Sequence, residues 1–131
     1  MKKVNKTNAM RILESMGIEY DYMAYESEDG KIDGVSVAQK TGQNPEIVFK
    51  TLVSVGHSKE LYVFCIPVEY ELDLKKAAKA SNEKNIELLP LKDLTKYTGY
   101  IRGGCSPIGM KKQYRTFIDE SAGLYDKIFV S

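Results

Sequence analysis

Two β-rich runs, Val48 to Val55 and Leu61 to Val68, constrain this chain more than any other feature. Only Gly56-His57-Ser58-Lys59-Glu60 separates them. Apolar runs joined by a short polar link with a glycine form a hairpin. An isolated hairpin is marginal in water, so the remaining segments must pack on it. Thr7 is an N-cap for a helix over residues 7 to 16, with Met10, Ile12, Leu13 and Met16 on one stripe and Gly17 as its stop. Tyr20 to Tyr25 reads as a strand, and Glu26 to Gly34, with four acids, as a surface loop. Ser36 opens a short helix that ends at Gly42, and Asn44-Pro45-Glu46 turns the chain into the hairpin. Asp73 caps a helix through Ser81 that turns Leu72, Leu74, Ala77 and Ala78 inward. Ile86 to Leu89 is a short strand, and Pro90 starts a helix through about Tyr97. Tyr100-Ile101, Arg115 to Ile118 and Lys127 to Val130 are three more short strands. Most crossovers are too short for repeated βαβ units, so the pattern predicts a mixed α/β domain over residues 1–131.

Composition narrows the function. Apolar residues make 43% of the chain and charged residues 28%, which excludes a disordered segment, and a net charge of +1 excludes a polybasic binder. No uncharged stretch exceeds eight residues, so no membrane span is expected and the chain reads as cytoplasmic. The two cysteines, Cys65 and Cys105, are too few for a disulfide framework, and the only histidine, His57, lies at the hairpin tip. No CxxC, HExxH or paired histidines occur, so neither a metal nor a cofactor is expected. A Ser-His-Asp or Cys-His catalyst would need His57, which a solvated tip holds poorly.

Three features remain as candidate chemistry. Lys50 stands in Val48-Phe49-Lys50-Thr51-Leu52-Val53, the most apolar strand, on the side of Val48 and Leu52, while Phe49, Thr51 and Val53 turn the other way. A buried ammonium is costly unless paired, so the plainer reading on pattern alone is a stem that packs while its head reaches water. Thr98 to Gly109 holds four glycines and a Ser-Pro, a path that either presents backbone N–H groups to a ligand or simply turns the chain. From Leu94 to Ile118 there are five bases, Lys96, Arg102, Lys111, Lys112 and Arg115, and no acid. Such a stretch contacts phosphates or forms a solvated face. Tyr97, Tyr100 and Tyr114 among them either stack on bases or pack. Cys65 reads as a small buried hydrophobe, and Cys105 lacks a histidine partner, so neither is taken as a nucleophile.

The segments Val48-Phe49-Lys50-Thr51-Leu52, Leu72-Asp73-Leu74-Lys75-Lys76-Ala77-Ala78, Thr98-Gly99-Tyr100 and Gly103-Gly104-Cys105-Ser106-Pro107-Ile108-Gly109-Met110-Lys111-Lys112 occur in that order. With Asn44-Pro45 and Phe129-Val130-Ser131, they make the chain resemble the YbaK/EbsC family of aminoacyl-tRNA editing proteins, the Cys-tRNA(Pro) deacylases. The resemblance spans nearly the whole chain and implies a mostly antiparallel curved sheet or partial barrel with helices around it. It implies trans-editing: removal of cysteine wrongly esterified to the terminal ribose of tRNA(Pro), with prolyl-tRNA synthetase as a candidate partner.

Carried over by position, Lys50 and Gly103 are the catalytic pair that the resemblance implies. Tyr25, Thr51, Gly104, Ser106 and Ser131 are its substrate-binding set. Arg102, Lys111, Lys112 and Arg115 are the tRNA-contact candidates of the basic stretch. With no protein nucleophile, the family's mechanism has the substrate's own thiol attack its carbonyl. Two alternatives stand beside this reading: deacylation of another small aminoacyl-tRNA such as Ala-tRNA(Pro), and a non-catalytic tRNA- or synthetase-binding module. Family members continue past the position of Ser131 with a glycine-rich basic turn, a strand and a helix. The strand holding Phe129 is therefore expected to present an open edge, which invites pairing with another copy. The acidic loop from Glu26 to Gly34 also departs from the family's aromatic-containing loop.

Overall fold

A computed structural model describes residues 6–25, 29–31 and 33–131. In chain order it contains α1 (Asn8–Ser15), α2 (Gly34–Thr41), a 3-10 turn (Pro45–Ile47), β1 (Phe49–Gly56), β2 (Leu61–Pro67), α3 (Leu74–Ser81), β3 (Ile86–Leu88), α4 (Leu91–Thr98), β4 (Arg115–Ile118) and a second 3-10 turn (Glu120–Leu124). The sheet order is β3-β1-β2-β4, with β1 antiparallel to β2 and β3, and β4 parallel to β2. The mixed α/β expectation holds. No helix among the described residues is long and apolar enough to cross a membrane.

The expected hairpin forms with Lys50 opposite Ile66, Leu52 opposite Phe64 and Ser54 opposite Tyr62. Facing residues of a ladder share a side of the sheet, so this register sorts the core into two layers. On one side Phe49, Val53, Val63, Cys65, Leu94 and Cys105 are buried together. On the other, Tyr62 and Phe64 pack with Ala77, Ala78 and Ile86, while Val48 and Val68 pack with Ala38 of α2. Each large apolar side chain buried this way contributes roughly 1.5–3 kcal/mol.

Local chemistry sets the helix ends. The Thr7 side chain accepts from the Met10 N–H and the Met10 sulfur from the Thr7 N–H, while the Asp73 carboxylate accepts from the N–H groups of Lys75 and Lys76. The Asp33 carboxylate caps α2 by accepting from the Ser36 N–H, and Gly42 and Gly99 end α2 and α4 in the left-handed region. The hairpin tip is tied to the end of α3 by Glu83, whose carboxylate accepts from the Ser58 N–H and hydroxyl and from the Tyr62 hydroxyl. That bond to Glu83 holds the Tyr62 phenol up at about 12.

Several expectations are corrected. Tyr20 to Tyr25 and Tyr100-Ile101 form no strand, because neither finds a ladder partner. Lys127 to Val130 reduces to one parallel bridge, Val48 to Phe129. The Phe129 side chain is half-buried against Ala38, Val48 and Val68, and its N–H and carbonyl both bond on the Val48 side. Leu74 is 43% exposed, since the first turn of α3 overhangs the sheet and only Ala77, Ala78 and Ser81 are buried. Of the acidic loop, Glu26, Ser27, Glu28 and Ile32 lie outside the described residues.

Two measurements test this packing. A Cβ on Gly34 would stand 2.2 Å from Val68 Cγ1 and 2.7 Å from its Cβ, so α2 sits where only glycine fits. Gly34→Ala should cost about 2 kcal/mol by overpacking, read as a lower urea midpoint. Burial pushes the Cys65 thiol up to about 11, against a weaker opposing effect of the Thr51 hydroxyl. Above the ordinary thiol range near ~8.5 the unfolded chain gives up a proton that folded Cys65 keeps. Stability should therefore fall as pH rises from there towards 11, and Cys65→Ala should flatten that fall in urea titrations across the window.

Candidate active site

Lys50 is half-buried on β1, on the sheet side it shares with Ile66. Its neighbours on that side are divided between two helices. Val48 belongs to the layer under α2, whereas Phe64, opposite Leu52, belongs to the layer under α3. Lys50 therefore rises between the two helix-covered patches. Among the described residues its ammonium makes no hydrogen bond and no ion pair; the ion pairs there are Lys6–Glu14, Lys40–Asp29 and Lys127–Asp21. A half-buried cation without a protein partner leaves its charge for something else to meet.

The α2 helix gathers other expected residues. The Tyr25 ring centroid lies 6.0 Å from Lys40 Nζ. Asp33, the α2 N-cap, accepts from the Ser36 hydroxyl at 2.7 Å and from its N–H at 3.1 Å. Those bonds, the hydroxyl first, hold the Asp33 carboxyl below its usual range, and the Arg102 charge adds to the effect. The glycine-rich loop thus comes within electrostatic reach of the α2 N-terminus. Phe129 is hydrogen-bonded on both sides of Val48, donating to the Ile47 carbonyl and accepting from the Phe49 N–H, each at 2.8 Å. A continuation of that parallel register puts Ser131 level with Lys50.

The loop after α4 is pinned from within. The Thr98 hydroxyl, buried, donates to the Leu94 carbonyl at 2.8 Å and accepts from the Tyr100 N–H at 3.0 Å. The Tyr100 hydroxyl donates to the Ile108 carbonyl at 2.6 Å, and Asn8 of α1 donates to the Gly109 carbonyl at 3.0 Å. Gly103 adopts φ 82, which a side chain would strain. Its N–H donates to nothing among the described residues, whereas the Gly104 N–H is taken by the Ile101 carbonyl at 3.0 Å. Ser106 is 2% exposed and its hydroxyl accepts from the Ile108 N–H, so it serves the turn itself. Thr51 turns to the far side of the sheet, as alternation requires. Its Oγ1 is buried near the Cys65 thiol without meeting it in hydrogen-bonding geometry.

Nucleophiles are scarce here. Burial raises both the Cys65 and the Cys105 thiols, and both are buried in the layer opposite Lys50. His57 is exposed at the hairpin tip, four residues beyond Val53. Among the described residues no three His, Cys, Asp or Glu side chains gather where they could hold a metal ion. The basic stretch, contiguous in sequence, is divided in space. Arg102 is exposed on the glycine-rich loop, Lys111 lies along Gly99 with Nζ 3.5 Å from the Lys96 carbonyl, and Lys112 and Arg115 line the hairpin-tip end of the sheet. Sequence reasoning missed Asp33 as the N-cap of α2; its signal was the Asp33-Gly34-Val35-Ser36 capping pattern.

Residues 33–131 match the model of the aminoacyl-tRNA editing domain. EbsC of Enterococcus faecalis (strain ATCC 700802 / V583), a proposed Cys-tRNA(Pro)/Cys-tRNA(Cys) deacylase, is 48% identical over 130 residues, which are 99% of this chain and 79% of that protein. The crystal structure of a proposed trans-editing enzyme for prolyl-tRNA synthetase superposes with a TM-score of 0.80 at 22% identity, over 98% of this chain and 82% of that one. That of the hypothetical protein APE2540 does so with a TM-score of 0.81 at 16% identity, over 90% and 77%. These two likenesses are of fold. With three-quarters of its length in the domain model and a relative of near-half identity along almost all of it, the chain belongs to the aminoacyl-tRNA editing domain family.

Proposed function

We propose that this chain is a trans-editing deacylase that removes cysteine from mischarged tRNA(Pro), with Lys50 and Gly103 at its catalytic centre. The observation that carries the reading is Lys50, half-buried between α2 and α3 with no protein partner among the described residues. In this reading the ammonium lies against the terminal ribose and the ester as negative charge develops there. The unengaged Gly103 N–H faces the ester carbonyl oxygen. Tyr25 and Ser131 line the aminoacyl pocket beside α2, and the Thr51 backbone and the Gly104 turn shape its walls. Ser106 acts by fixing the turn. Prolyl-tRNA synthetase, the enzyme that the structural neighbour is named for, is the partner that would hand over the substrate.

With both thiols of the protein buried, the nucleophile in this mechanism is the substrate's own. The cysteine sulfur gives up its proton and attacks the carbonyl carbon, forming the C–S bond of a four-membered thiolactone. The ester C–O bond breaks, and the ribose oxygen leaves with a proton. Water later opens the thiolactone to free cysteine. The protein supplies position and charge, the two contributions that need no side-chain nucleophile.

The test is release of labelled cysteine from Cys-tRNA(Pro). Lys50→Ala should lower kcat by about 10²–10³, the loss expected of one electrostatic contact at a developing oxyanion, with only a modest change in tRNA affinity. Ser-tRNA(Pro), which lacks the thiol, should be a far poorer substrate, and equal rates on the two would exclude cyclisation. Faster turnover of Ala-tRNA(Pro) would move the reading to another small aminoacyl group. No turnover of any of them would leave a binding module.

A further inference from the structure

Apart from the Lys50 region, a groove of about 520 Å³ lies at the hairpin-tip end of the sheet. Three distant segments form it: Lys59 to Tyr62 at the tip, Tyr97 on the last turn of α4, and Lys112 to Arg115 leading into β4. We propose that this groove grips an RNA strand, the acceptor end of the same tRNA whose ester lies at Lys50; the assignment of that RNA rests on the function proposed above.

Charge is the first argument. The lining holds Lys59, Lys112 and Arg115 against one acid, Glu60, while Glu83, outside the lining, accepts the Tyr62 hydroxyl hydrogen bond. Among the described residues none of those three cations has an ion pair, while Lys96 adds a fourth charge 5.3 Å from the Tyr97 ring. Unpaired cations in a groove attract a polyanion even when the molecule as a whole is nearly neutral.

Shape and rings are the second. The Arg115 guanidinium lies 5.9 Å from the Tyr62 ring and 5.3 Å from the Phe117 ring, and a planar fork of this kind can meet a phosphate at two points. The Tyr114 hydroxyl donates to the Tyr97 carbonyl at 2.9 Å, so the β4 approach and α4 form one wall. Tyr97, 36% exposed, offers a stacking surface beside Lys96. Position is the third. Tyr62 faces Ser54, four residues along β1 from Lys50 and on the same side of the sheet. At about 3.3 Å per residue Ser54 lies roughly 13 Å along β1 from the lysine, and the groove begins one strand to its side, so one RNA strand of a few nucleotides can reach both.

The experiment uses the full chain, deacylated tRNA(Pro), and 2′(3′)-O-cysteinyl-adenosine as a short substrate that cannot reach the groove. A Lys59→Ala/Lys112→Ala/Arg115→Ala triple variant should bind the tRNA at least tenfold more weakly. Its log K against log salt slope should be shallower by about two to three. Its kcat on the short ester should match wild type, and Lys79→Ala on the exposed side of α3 should leave tRNA binding unchanged. If the triple variant melts early, Lys112→Glu alone should show the same direction. Wild-type affinity and salt slope in these variants would overturn the groove. So would loss confined to association with prolyl-tRNA synthetase, which would make the groove a protein contact. A wild-type chain that binds tRNA through the groove yet cleaves neither ester would sink the deacylase reading and leave the groove standing.

Discussion

The register of the β1–β2 hairpin is the constraint on which the rest depends. Side chains alternate along a strand, so a slip of one residue would turn Lys50 into the layer of Val53, Val63 and Leu94, and Phe49 out of it. An unpaired ammonium in that layer would cost several kcal/mol, and the lost aromatic burial would add to it. The same preference that builds the core therefore fixes where the lysine emerges. The Glu83 bonds to Ser58 and Tyr62 lock that register from the tip, and the Phe129 bonds beside Val48 lock it from the other end.

Within that frame α2 organises the site. It rests on Val48 through Ala38 and approaches Val68 so closely that Gly34 has no room for a Cβ. Its N-cap meets the charge of Arg102, and its Lys40 meets the ring of Tyr25. Elements far apart in sequence thus converge on one short helix, while the cysteines are withdrawn into the opposite layer, where burial keeps them protonated. With both thiols buried away from Lys50, the proposed mechanism takes its nucleophile from the substrate.

What was legible in the sequence was local. The hairpin, the α3 helix from Asp73 to Ser81, and the Thr7 cap each depend on residues within a few positions, and each forms as read. Alternation alone puts Lys50 and Thr51 on opposite sides of the sheet, as the ladder has them. What failed was partner-dependent. Tyr20 to Tyr25 has strand composition but no neighbouring strand, and nothing in residues 115–118 announces a parallel place beside β2. The basic stretch was legible as charge but not as geometry. Its members part on either side of a loop pinned by Thr98 and Tyr100, and the cation that completes the groove, Lys59, comes from the hairpin tip.

That division bears on how an editing domain can separate grip from choice. Contacts made equally by correct and mischarged tRNA bind ground state and transition state alike; they raise occupancy without discriminating between amino acids. On the proposal made above, the cations at the hairpin-tip end of the sheet belong to that kind. In the proposed mechanism discrimination falls to the surroundings of Lys50, where the substrate's thiol is either placed to attack or absent. A lysine without a protein counter-ion suits the task, because its attraction is strongest for the oxyanion that exists only as the ester breaks. A permanent carboxylate partner would satisfy the ammonium in every state and flatten that difference. The empty side of Lys50 is thus the feature that links the fold's register to selective chemistry.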